Sequence, residues 1–460
     1  MSDAVVAAAD APAVPIRLAT AASAQSAVAA LPGPLAAQAR VAKFAGKSGE
    51  VVVLVGDDGP AQALAGLGDR AAAMPLRALP AKLPAGLYSL ETGSDGPAAA
   101  DAALAFALGT YRFDRYKPSK RESGPRLLAP AGVDLDELRA ISHACALARD
   151  MINTPASDMG PRQMETIARE VAEAFGATIK VVTGDALLDE NYPAVHAVGR
   201  AAVAERAPRM IEIGWGEAGP RVALVGKGVV FDTGGLDIKP SASMRTMKKD
   251  MGGAAHALAL GRMVMAAKLP VRLTVLLPVV ENAIAGDAMR PGDILNSRKG
   301  LTIEIGNTDA EGRLILADAL ARAAELEPEL TLDFATLTGA ARTAVGPELA
   351  PFYTDDDTLA GEIEAAAKAA EDPVWRMPLW SPYEPAIESD VADLRNDPDA
   401  WAQAGSITAA LFLRRFAPKT GAWAHFDIFA WNARGRPGWP AGAETQAIRA
   451  LYRVLKQRYG

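Results

Sequence analysis

The chain has 460 residues, half of them apolar and 22% charged, which is typical of a globular protein and too long for a single ordinary core. Its net charge of −7 argues against a general nucleic-acid-binding protein, because neutralising phosphates requires clustered Lys and Arg. The single cysteine, Cys145, excludes an intrachain disulfide and a zinc site built from thiolates, and it indicates a reducing compartment.

No apolar run approaches the roughly 18 residues that a membrane-spanning helix needs. The N-terminal residues are rich in alanine, but Asp3 and Asp10 stand where a secretory signal would carry a cationic segment. We therefore expect a cytoplasmic protein with no membrane partner.

The chain is predicted to contain two domains joined by a short connection. Residues 1–125 are expected to form a smaller N-terminal α/β domain, 126–152 a linker and connecting helix, and 153–460 the larger domain. The basic, proline-bounded stretch 117–126 is typical of a solvated linker, and an anion-binding patch is the less favoured alternative.

Strands and helices alternate along most of the chain. The predicted strands are 51–55, 86–90, 178–182, 210–214, 222–225, 271–278, 301–305, 330–334 and 423–429. The predicted helices are 134–150, 162–174, 252–267, 313–326, 359–370, 406–416 and 444–458. In the larger domain this alternation predicts an α/β fold with a mostly parallel, doubly wound mixed sheet flanked by helices. Ligands bind at the carboxyl ends of the strands in such sheets.

The densest polar motif is Asn-Thr-Asp-Ala-Glu-Gly-Arg-Leu at 307–314, between a predicted strand and a predicted helix. Asp309 and Glu311 are two residues apart, so on extended backbone both side chains would leave one face. Two carboxylates on one face can bind a single cation.

A second polar stretch, 226–240, follows the predicted strand 222–225. Its four glycines allow the backbone to bend closely around a small ligand. Lys227, Asp232, Asp237 and Lys239 are then available to contact that ligand.

A further carboxylate, Asp250, precedes the predicted helix 252–267, and taken alone it is best interpreted as the N-cap of that helix. If Asp232, Asp250, Asp309 and Glu311 shared one crevice, however, their charges would repel unless cations neutralised them. Such oxygen ligands suit Mn²⁺, Mg²⁺ or Zn²⁺ in a two-metal site. The residues alone therefore predict a carboxylate-rich dimetal hydrolase and no more.

Other catalytic patterns are absent from the sequence. His143 and His256 are predicted to lie in helices, His425 in a strand and His196 in a loop, and there is no HExxH zinc motif. There is also no G-x-S-x-G nucleophile elbow, which disfavours a serine hydrolase.

Five motifs in order, GKGVVFDTGGLDIKP, MKKDMGGAA, VENAIAGDAMRPGDIL, NTDAEGRLILADAL and DFATLTGAA, resemble the leucyl aminopeptidase (cytosol aminopeptidase) family of dimetal exopeptidases. The resemblance is dense over 153–346 and continues through AGSITAALFLRRF and WAHFDI. It implies a metal-dependent aminopeptidase whose substrates are peptides with a free N-terminus. It also implies a homohexamer.

The resemblance implies roles for individual residues. The implied ligands of two divalent ions, Mn²⁺ or Zn²⁺, are Lys227, Asp232, Asp250, Asp309 and Glu311, with Asp232 and Glu311 bridging. Lys239 would act as an electrophile, and Arg313 would hold a bicarbonate ion that shuttles protons. The implied substrate-binding residues are Met247, Asn307, Thr336, Leu337 and Gly339.

The chain departs from the family pattern after the HFDI stretch, where Phe429 and Trp431 replace smaller residues. This bulk is expected to narrow or reshape the pocket for the first side chain, so a leucine preference is not implied. Two alternatives stay open at this point. One is a different dipeptide substrate, such as cysteinylglycine, and the other is a regulatory DNA-binding role on the same scaffold.

Overall fold

The computed structural model describes residues 4–7, 12–91, 96–118, 123–398 and 403–460. Part of the predicted linker, 119–122, lies outside the described residues. The chain forms two compact units, Met1–Ala146 with Asn432–Gly442, and Leu147–Trp431 with Ala443–Gly460. The chain thus returns to the first unit near its end, which the sequence did not indicate. The predicted domain bounds at 125 and 153 stay a prediction.

The first unit is built on a six-stranded sheet. Its strands are β1 (Val5–Val6), β2 (Val14–Ala19), β3 (Val51–Gly56), β4 (Gly59–Gly66), β5 (Gly86–Glu91) and β6 (Pro125–Leu128), and its helices are α1 (Ala24–Ala29), α2 (Gly33–Val41), α3 (Leu79–Lys82) and α4 (Ala99–Gly109). The strand order is β1-β6-β5-β2-β4-β3. Only the pairing of β3 with β4 is antiparallel among these neighbours.

Arg77 holds the returning segment 432–442 within the first unit. Its Nε donates to the carbonyl oxygen of Gly438 at 3.0 Å, and its guanidinium lies 4.5 Å from the ring centre of Trp439. Gly438 has a φ of +83°, and a side chain there would lie 2.4 Å from the Arg77 backbone. Glycine at this position therefore permits the close approach of the two segments.

The second unit contains most of the regular structure. It begins in α5 (Leu135–Asn153), inside which the division between the units falls. Its further helices are α6 (Pro161–Ala174), α7 (Ala186–Asp189), α8 (Pro193–Gly199), α9 (Ser241–Met244), α10 (Gly252–Ala266), α11 (Glu311–Glu325), α12 (Gly339–Val345), α13 (Asp357–Ala370), α14 (Gly405–Arg414) and α15 (Ile448–Tyr459). Its strands are β7 (Thr178–Thr183), β8 (Arg209–Trp215), β9 (Arg221–Gly226), β10 (Gly228–Asp232), β11 (Arg272–Asn282), β12 (Ile294–Asn296), β13 (Thr302–Glu304), β14 (Leu330–Ala335), β15 (Ala350–Tyr353), β16 (Val374–Arg376), β17 (Leu394–Arg395) and β18 (Ala422–Asp427); two short strands, β19 (Trp431–Asn432) and β20 (Gly442–Ala443), flank the returning segment.

A nine-stranded sheet forms the centre of the second unit, in the order β16-β15-β18-β14-β9-β11-β8-β7 with β10 beside β11. The pairs from β11 through β9 and β14 to β18 are parallel. Strand β9 is apolar without interruption from Val222 to Val225 because helices cover both faces of a parallel sheet. The predicted mostly parallel, doubly wound fold is confirmed.

Helix α10 packs unusually close to the carboxyl ends of these strands. A methyl group added to Gly253 would lie 2.1 Å from the carbonyl oxygen of Phe334 in β14, and one added to Gly226 would lie 2.5 Å from the Cα of Ala254. These glycines let helix and sheet backbones touch. The contact carries Asp250, just before α10, to the strand ends.

Two local predictions were wrong. Strand β13 does not belong to the central sheet but to a three-stranded sheet with β12 and β17. His196 lies in helix α8 rather than in a loop, and its Nε2 is 3.1 Å from Asp185 Oδ1. A proline at the first position of α8, Pro193, pre-sets the helical φ there. No helix within the described residues is long and apolar enough to span a membrane.

Candidate dimetal active site

The carboxyl ends of β9, β10, β14 and β18 open into a cavity of about 750 Å³. All the predicted site residues except the buried Glu311 line it: Lys227, Asp232, Lys239, Met247, Asp250, Asn307, Asp309, Arg313, Thr336, Leu337 and Gly339. The structure therefore brings together stretches that lie far apart in the sequence.

Lys227, between β9 and β10, is 3% exposed and contacts two carboxylates. Its Nζ lies 2.7 Å from Asp250 Oδ2 and 3.0 Å from Glu311 Oε1. A methyl group on Gly312 would lie 2.5 Å from Lys227 Cε. The glycine of the NTDAEGRL motif is thus required by this buried lysine rather than by its own backbone conformation.

Lys239, in the loop after β10, contacts the other two carboxylates. Its Nζ lies 2.8 Å from Asp232 Oδ2 and also contacts Asp309 Oδ1. Asp232 Oδ1 accepts hydrogen bonds from the backbone N of Gly234 at 2.9 Å and from Asn282 Nδ2 at 2.8 Å. Asp232 at the end of β10 is therefore held rigidly. We call Asp232, Asp309, Glu311, Lys227 and Lys239 the acidic half of the site.

The carboxylates of the acidic half are arranged so that they can bind cations. Asp232, Asp309 and Glu311 each offer an oxygen, and these oxygens lie within 4.8 Å of one another. Burial and the nearby charge of Asp232 raise the pKa of Glu311 to about 8 and that of Asp309 to about 6. Glu311 Oε2 is buried with no hydrogen-bond partner among the described residues. The donor set therefore fits divalent metal ions with oxygen ligands.

The interpretation of Asp250 as a helix N-cap is wrong. A 3₁₀ helix, Met247–Met251, leads directly into α10, and no side chain caps that helix. Asp250 Oδ1 instead accepts a hydrogen bond from Thr336 Oγ1 at 2.7 Å. Its other oxygen faces Lys227. Asp250 is consequently oriented toward the cavity.

The predicted position of Asp309 and Glu311 on a turn between a strand and a helix is confirmed, although the backbone of the pair is not extended. Asp309 lies in a turn closed by its own backbone N, which donates to Asn307 Oδ1 at 2.8 Å, and Glu311 is the first residue of α11. Asn307 thereby has a turn-forming contact in addition to lining the cavity. An Asn side chain two residues back stabilises such turns.

Arg313 is a buried cation with open donors. It is 7% exposed, and its Nε and Nη1 have no hydrogen-bond partner within the described part of the chain. Burial lowers the pKa of Arg313 to about 10, an effect that the carboxylates of Asp397, Glu311 and Asp427 oppose. A buried guanidinium with unused donors suits a small anion.

Asp427, at the end of β18, organises the loop after β14. Its Oδ1 accepts from the backbone N of Leu337 at 3.0 Å and of Thr338 at 3.1 Å, and its Oδ2 accepts from Thr338 Oγ1 at 2.6 Å. The sequence analysis missed this residue as a site component. The carboxylate within the HFDI stretch was the available signal.

Two cations at the cavity wall were also missed. Lys249 is 5% exposed, and burial lowers its pKa to about 8. Arg342 in α12 is exposed and lines the same cavity. The pair Lys248-Lys249 beside Asp250 is a weak signal for the first, and nothing in the local sequence indicates the second.

The comparisons with known proteins agree with this geometry. A model of the cytosol aminopeptidase family, catalytic domain, matches residues 146–452, and a model of the M17 aminopeptidase N-terminal domain matches residues 14–130. The chain belongs to the cytosol aminopeptidase family. The resemblance inferred from the five motifs is confirmed.

Individual members of the family are similar over most of the chain. A probable cytosol aminopeptidase of Syntrophotalea carbinolica is 40% identical over 368 residues, 76% of this chain and 73% of the relative. The crystal structure of the Coxiella burnetii cytosol aminopeptidase is 41% identical, with a TM-score of 0.93 and complete coverage of both chains. The bottromycin maturation enzyme BotP, solved in complex with Mn, is 35% identical, with a TM-score of 0.86 over 97% of this chain and 100% of that enzyme.

The protein is a metal-dependent aminopeptidase, and members of its family use two metal ions. Its N-terminal and catalytic domains are those that the family models describe. The clustered carboxylates are consistent with metal binding.

Proposed function

We propose that the chain hydrolyses the N-terminal residue from peptides with a free N-terminus, and that Lys227, Asp232, Asp250, Asp309 and Glu311 hold two divalent ions, Mn²⁺ or Zn²⁺. The observation that carries the proposal is the convergence of Asp232, Asp309 and Glu311 within 4.8 Å. Asp232 and Glu311 would each contribute a ligand to both ions in this proposal. The Mn complex of the similar enzyme BotP supports manganese as a candidate.

The two ions, when bound, would lower the pKa of a water molecule and polarise the scissile carbonyl. As a ligand, Lys227 must give up its proton. Although burial opposes it, the charges of Asp250 and Glu311 raise the pKa of Lys227 above its ordinary value. Binding of cations to those carboxylates removes this effect, so the same residues account for a charged Lys227 without metal and a neutral one with it.

Lys239 is proposed to stay protonated and to act as the electrophile. Burial works against its charge, but Asp232 and Asp309 raise the pKa of Lys239 above its ordinary value. Its ammonium can therefore donate to the carbonyl oxygen of the substrate as negative charge develops there. A preorganised donor of this kind stabilises the transition state more than the bound substrate.

Arg313 is proposed to hold a bicarbonate ion that takes up and returns the proton of the attacking water. Its unused Nε and Nη1 donors support this role, since a planar guanidinium binds such an anion with two hydrogen bonds. The anion would supply an acid–base group, since no histidine lines the cavity among the residues that the structure describes.

Contacts to the substrate are proposed for Met247, Asn307, Thr336, Leu337 and Gly339, which line the cavity beside the acidic half. Thr336 and Leu337 are held by Asp250 and Asp427 respectively, so their positions are set before substrate binds. Preorganisation of this kind lowers the cost of binding.

We extend the proposal to a homohexamer in the cytoplasm. The family resemblance supports the assembly, and the name cytosol aminopeptidase, carried by the relatives, supports the location. Analytical ultracentrifugation of the purified protein gives the assembly state directly. A monomer at micromolar concentration would contradict the hexamer without affecting the proposed chemistry.

A metal-replacement assay tests the proposed function. Aminoacyl amides and dipeptides are assayed after thorough chelation and after Mn²⁺, Zn²⁺ or Mg²⁺ is added back singly. We expect activity only with metal, and strongly reduced turnover with retained metal in Lys239→Ala. Activity that survives chelation, or wild-type turnover in Lys239→Ala, would contradict the assigned roles. DNA binding at physiological salt without peptidase activity would favour the regulatory alternative.

A further inference from the structure

One wall of the cavity carries cations rather than carboxylates. The ammonium of Lys249 lies 4.8 Å from the ring centre of Phe429, and the guanidinium of Arg342 lies 5.3 Å from the same centre. All three residues line the cavity. We call Lys249, Arg342 and Phe429 the cationic wall.

Neither cation of this wall forms a salt bridge within the described residues. Within the described residues, no carboxylate lies within 4.0 Å of the Lys249 ammonium or of the Arg342 guanidinium. The nearest carboxylate in sequence, Asp250, already faces Lys227 and Thr336. Lys249 is nonetheless 5% exposed, and a buried charge without a partner is costly.

The backbone that carries the aromatic ring between them is held in place. The backbone N of Phe429 donates to Gln446 Oε1 at 2.9 Å, and that of Ala430 donates to the same oxygen at 2.8 Å. Ala430 has a φ of +56°, a left-handed conformation that a residue with a side chain adopts only when its surroundings impose it. The backbone at Phe429 is therefore held, and its ring centre lies 4.8 Å from the Lys249 ammonium and 5.3 Å from the Arg342 guanidinium.

We propose that Lys249 and Arg342, positioned on Phe429, bind a carboxylate of a short peptide substrate. This inference rests on the proposed aminopeptidase function and names the class of substrate. The carboxylate can come from an acidic first side chain, Asp or Glu, or from the C-terminus of a dipeptide. In both cases the anion compensates the two unpaired cations, and a charge-assisted hydrogen bond to a cation is stronger than a neutral one.

Charge-matched substrate pairs separate these two sources. The Mn²⁺-loaded enzyme is assayed with glutamyl amide against glutaminyl amide, which differ only in the charge of the first side chain. It is also assayed with Leu-Gly against Leu-Gly amide, which differ only in the charge at the C-terminus. In one of the two pairs we expect kcat/KM to be about ten- to hundredfold higher for the charged member.

Substitutions then assign the preference to the wall. Lys249→Met and Arg342→Gln are each expected to reduce the charged-to-neutral ratio about tenfold, with the ratio compared within each variant so that general losses cancel. The matched control is Lys248→Met. Lys248 also lies over an aromatic ring, 5.6 Å from the centre of Trp431, but does not line the cavity, so its ratio should equal that of the wild type.

The outcomes distinguish a failure of the carboxylate site from a failure of the proposed aminopeptidase function. A preference in the first pair identifies acidic N-terminal residues as substrates, and one in the second identifies dipeptides. An enzyme active on the neutral substrates that shows no charge preference in either pair overturns the carboxylate site alone. A charge preference that Lys249→Met and Arg342→Gln both leave unchanged also overturns it. If the enzyme is inactive on every one of these substrates with Mn²⁺ and also with Zn²⁺, the proposed aminopeptidase function itself is overturned.

Discussion

The acidic half and the cationic wall of the cavity differ in whether their cations have carboxylate partners. In the acidic half, Lys227 and Lys239 each lie against two carboxylates, so the protein supplies both signs. In the cationic wall, Lys249 and Arg342 share an aromatic ring and no counter-ion. Both lysines of the first region are therefore paired within the protein, while the cations of the second form no salt bridge within the described residues and are open to an anion.

Metal removal is expected to have the largest effect on activity and a small effect on the fold. Chelation should lower turnover to the background of the buffer, because the acidic half alone offers no activated water. The far-UV circular dichroism spectrum should stay unchanged, since Lys227 and Lys239 each contact two of the four carboxylates and the raised pKa of Glu311, about 8, reduces the remaining repulsion in the absence of metal. Unfolding of the chelated protein would contradict this comparison, because it would show that the two lysines do not offset the charge of the carboxylates when metal is absent.

Gly312→Ala is expected to act next most strongly. Its methyl group would lie 2.5 Å from Lys227 Cε, so the lysine must shift away from Asp250 and Glu311. We expect kcat/KM to fall by about a hundredfold and unfolding free energy by about 1–3 kcal/mol.

The matched control for this variant is Gly361→Ala. Gly361 also lies in a helix, α13, and an added methyl group there would meet nothing within 4 Å. Activity should stay unchanged and stability should rise by up to about 1 kcal/mol, because alanine favours helix. If kcat/KM and the unfolding free energy fell equally in the two variants, the close contact between Gly312 and Lys227 would not explain the loss.

Arg313→Lys sharpens the comparison because Arg313, beside the acidic half, is a buried cation whose Nε and Nη1 have no hydrogen-bond partner within the described residues. We expect turnover to fall about tenfold, and about a hundredfold in Arg313→Ala, with metal content unchanged. Lysine keeps the charge but loses the two-donor fork. Turnover should also depend on added bicarbonate in the wild type and not in Arg313→Ala. Bicarbonate dependence that persists in Arg313→Ala would remove this residue from the proton shuttle.

A smaller effect, on stability, is expected from His256, which contacts Gln446, the residue that holds the backbone of Phe429. His256 Nε2 accepts from the backbone N of Gln446 at 3.0 Å, and burial lowers the pKa of His256 to about 4. Since the ordinary value is about 6.5, between these pH values the unfolded chain binds a proton that the folded chain does not. Stability should therefore fall as pH falls through this window, by about 2 kcal/mol at pH 5 relative to pH 7.5.

Urea unfolding of the wild type and of His256→Gln at these two pH values measures this contribution. The variant lacks the titrating group, so it should lose about 2 kcal/mol less than the wild type between the two conditions. Identical pH dependence in both proteins would show that His256 does not contribute.

Local sequence patterns predicted the elements well wherever burial was uniform. Strands β9 and β14 are buried at every position but Arg221, and their predicted bounds differ from the structure by at most one residue at either end. Strand β10 escaped prediction because it is five residues of a glycine-rich motif that looked like loop. Asp250 was misinterpreted because Asp before a helix is normally a cap, whereas here Thr336 and Lys227 from other elements orient it.

By itself the sequence determined the family, the α/β fold and the chemical types that converge on the site, because motifs such as NTDAEGRL resemble those of the family and strand and helix patterns alternate along the chain. Only the tertiary structure decided which charges are paired. Lys227 and Lys239 meet carboxylates from distant segments, whereas Lys249 and Arg342, 93 positions apart by their numbers, meet on Phe429 without one. Charge compensation depends on distances of a few ångströms between such segments, and no local pattern contains that information.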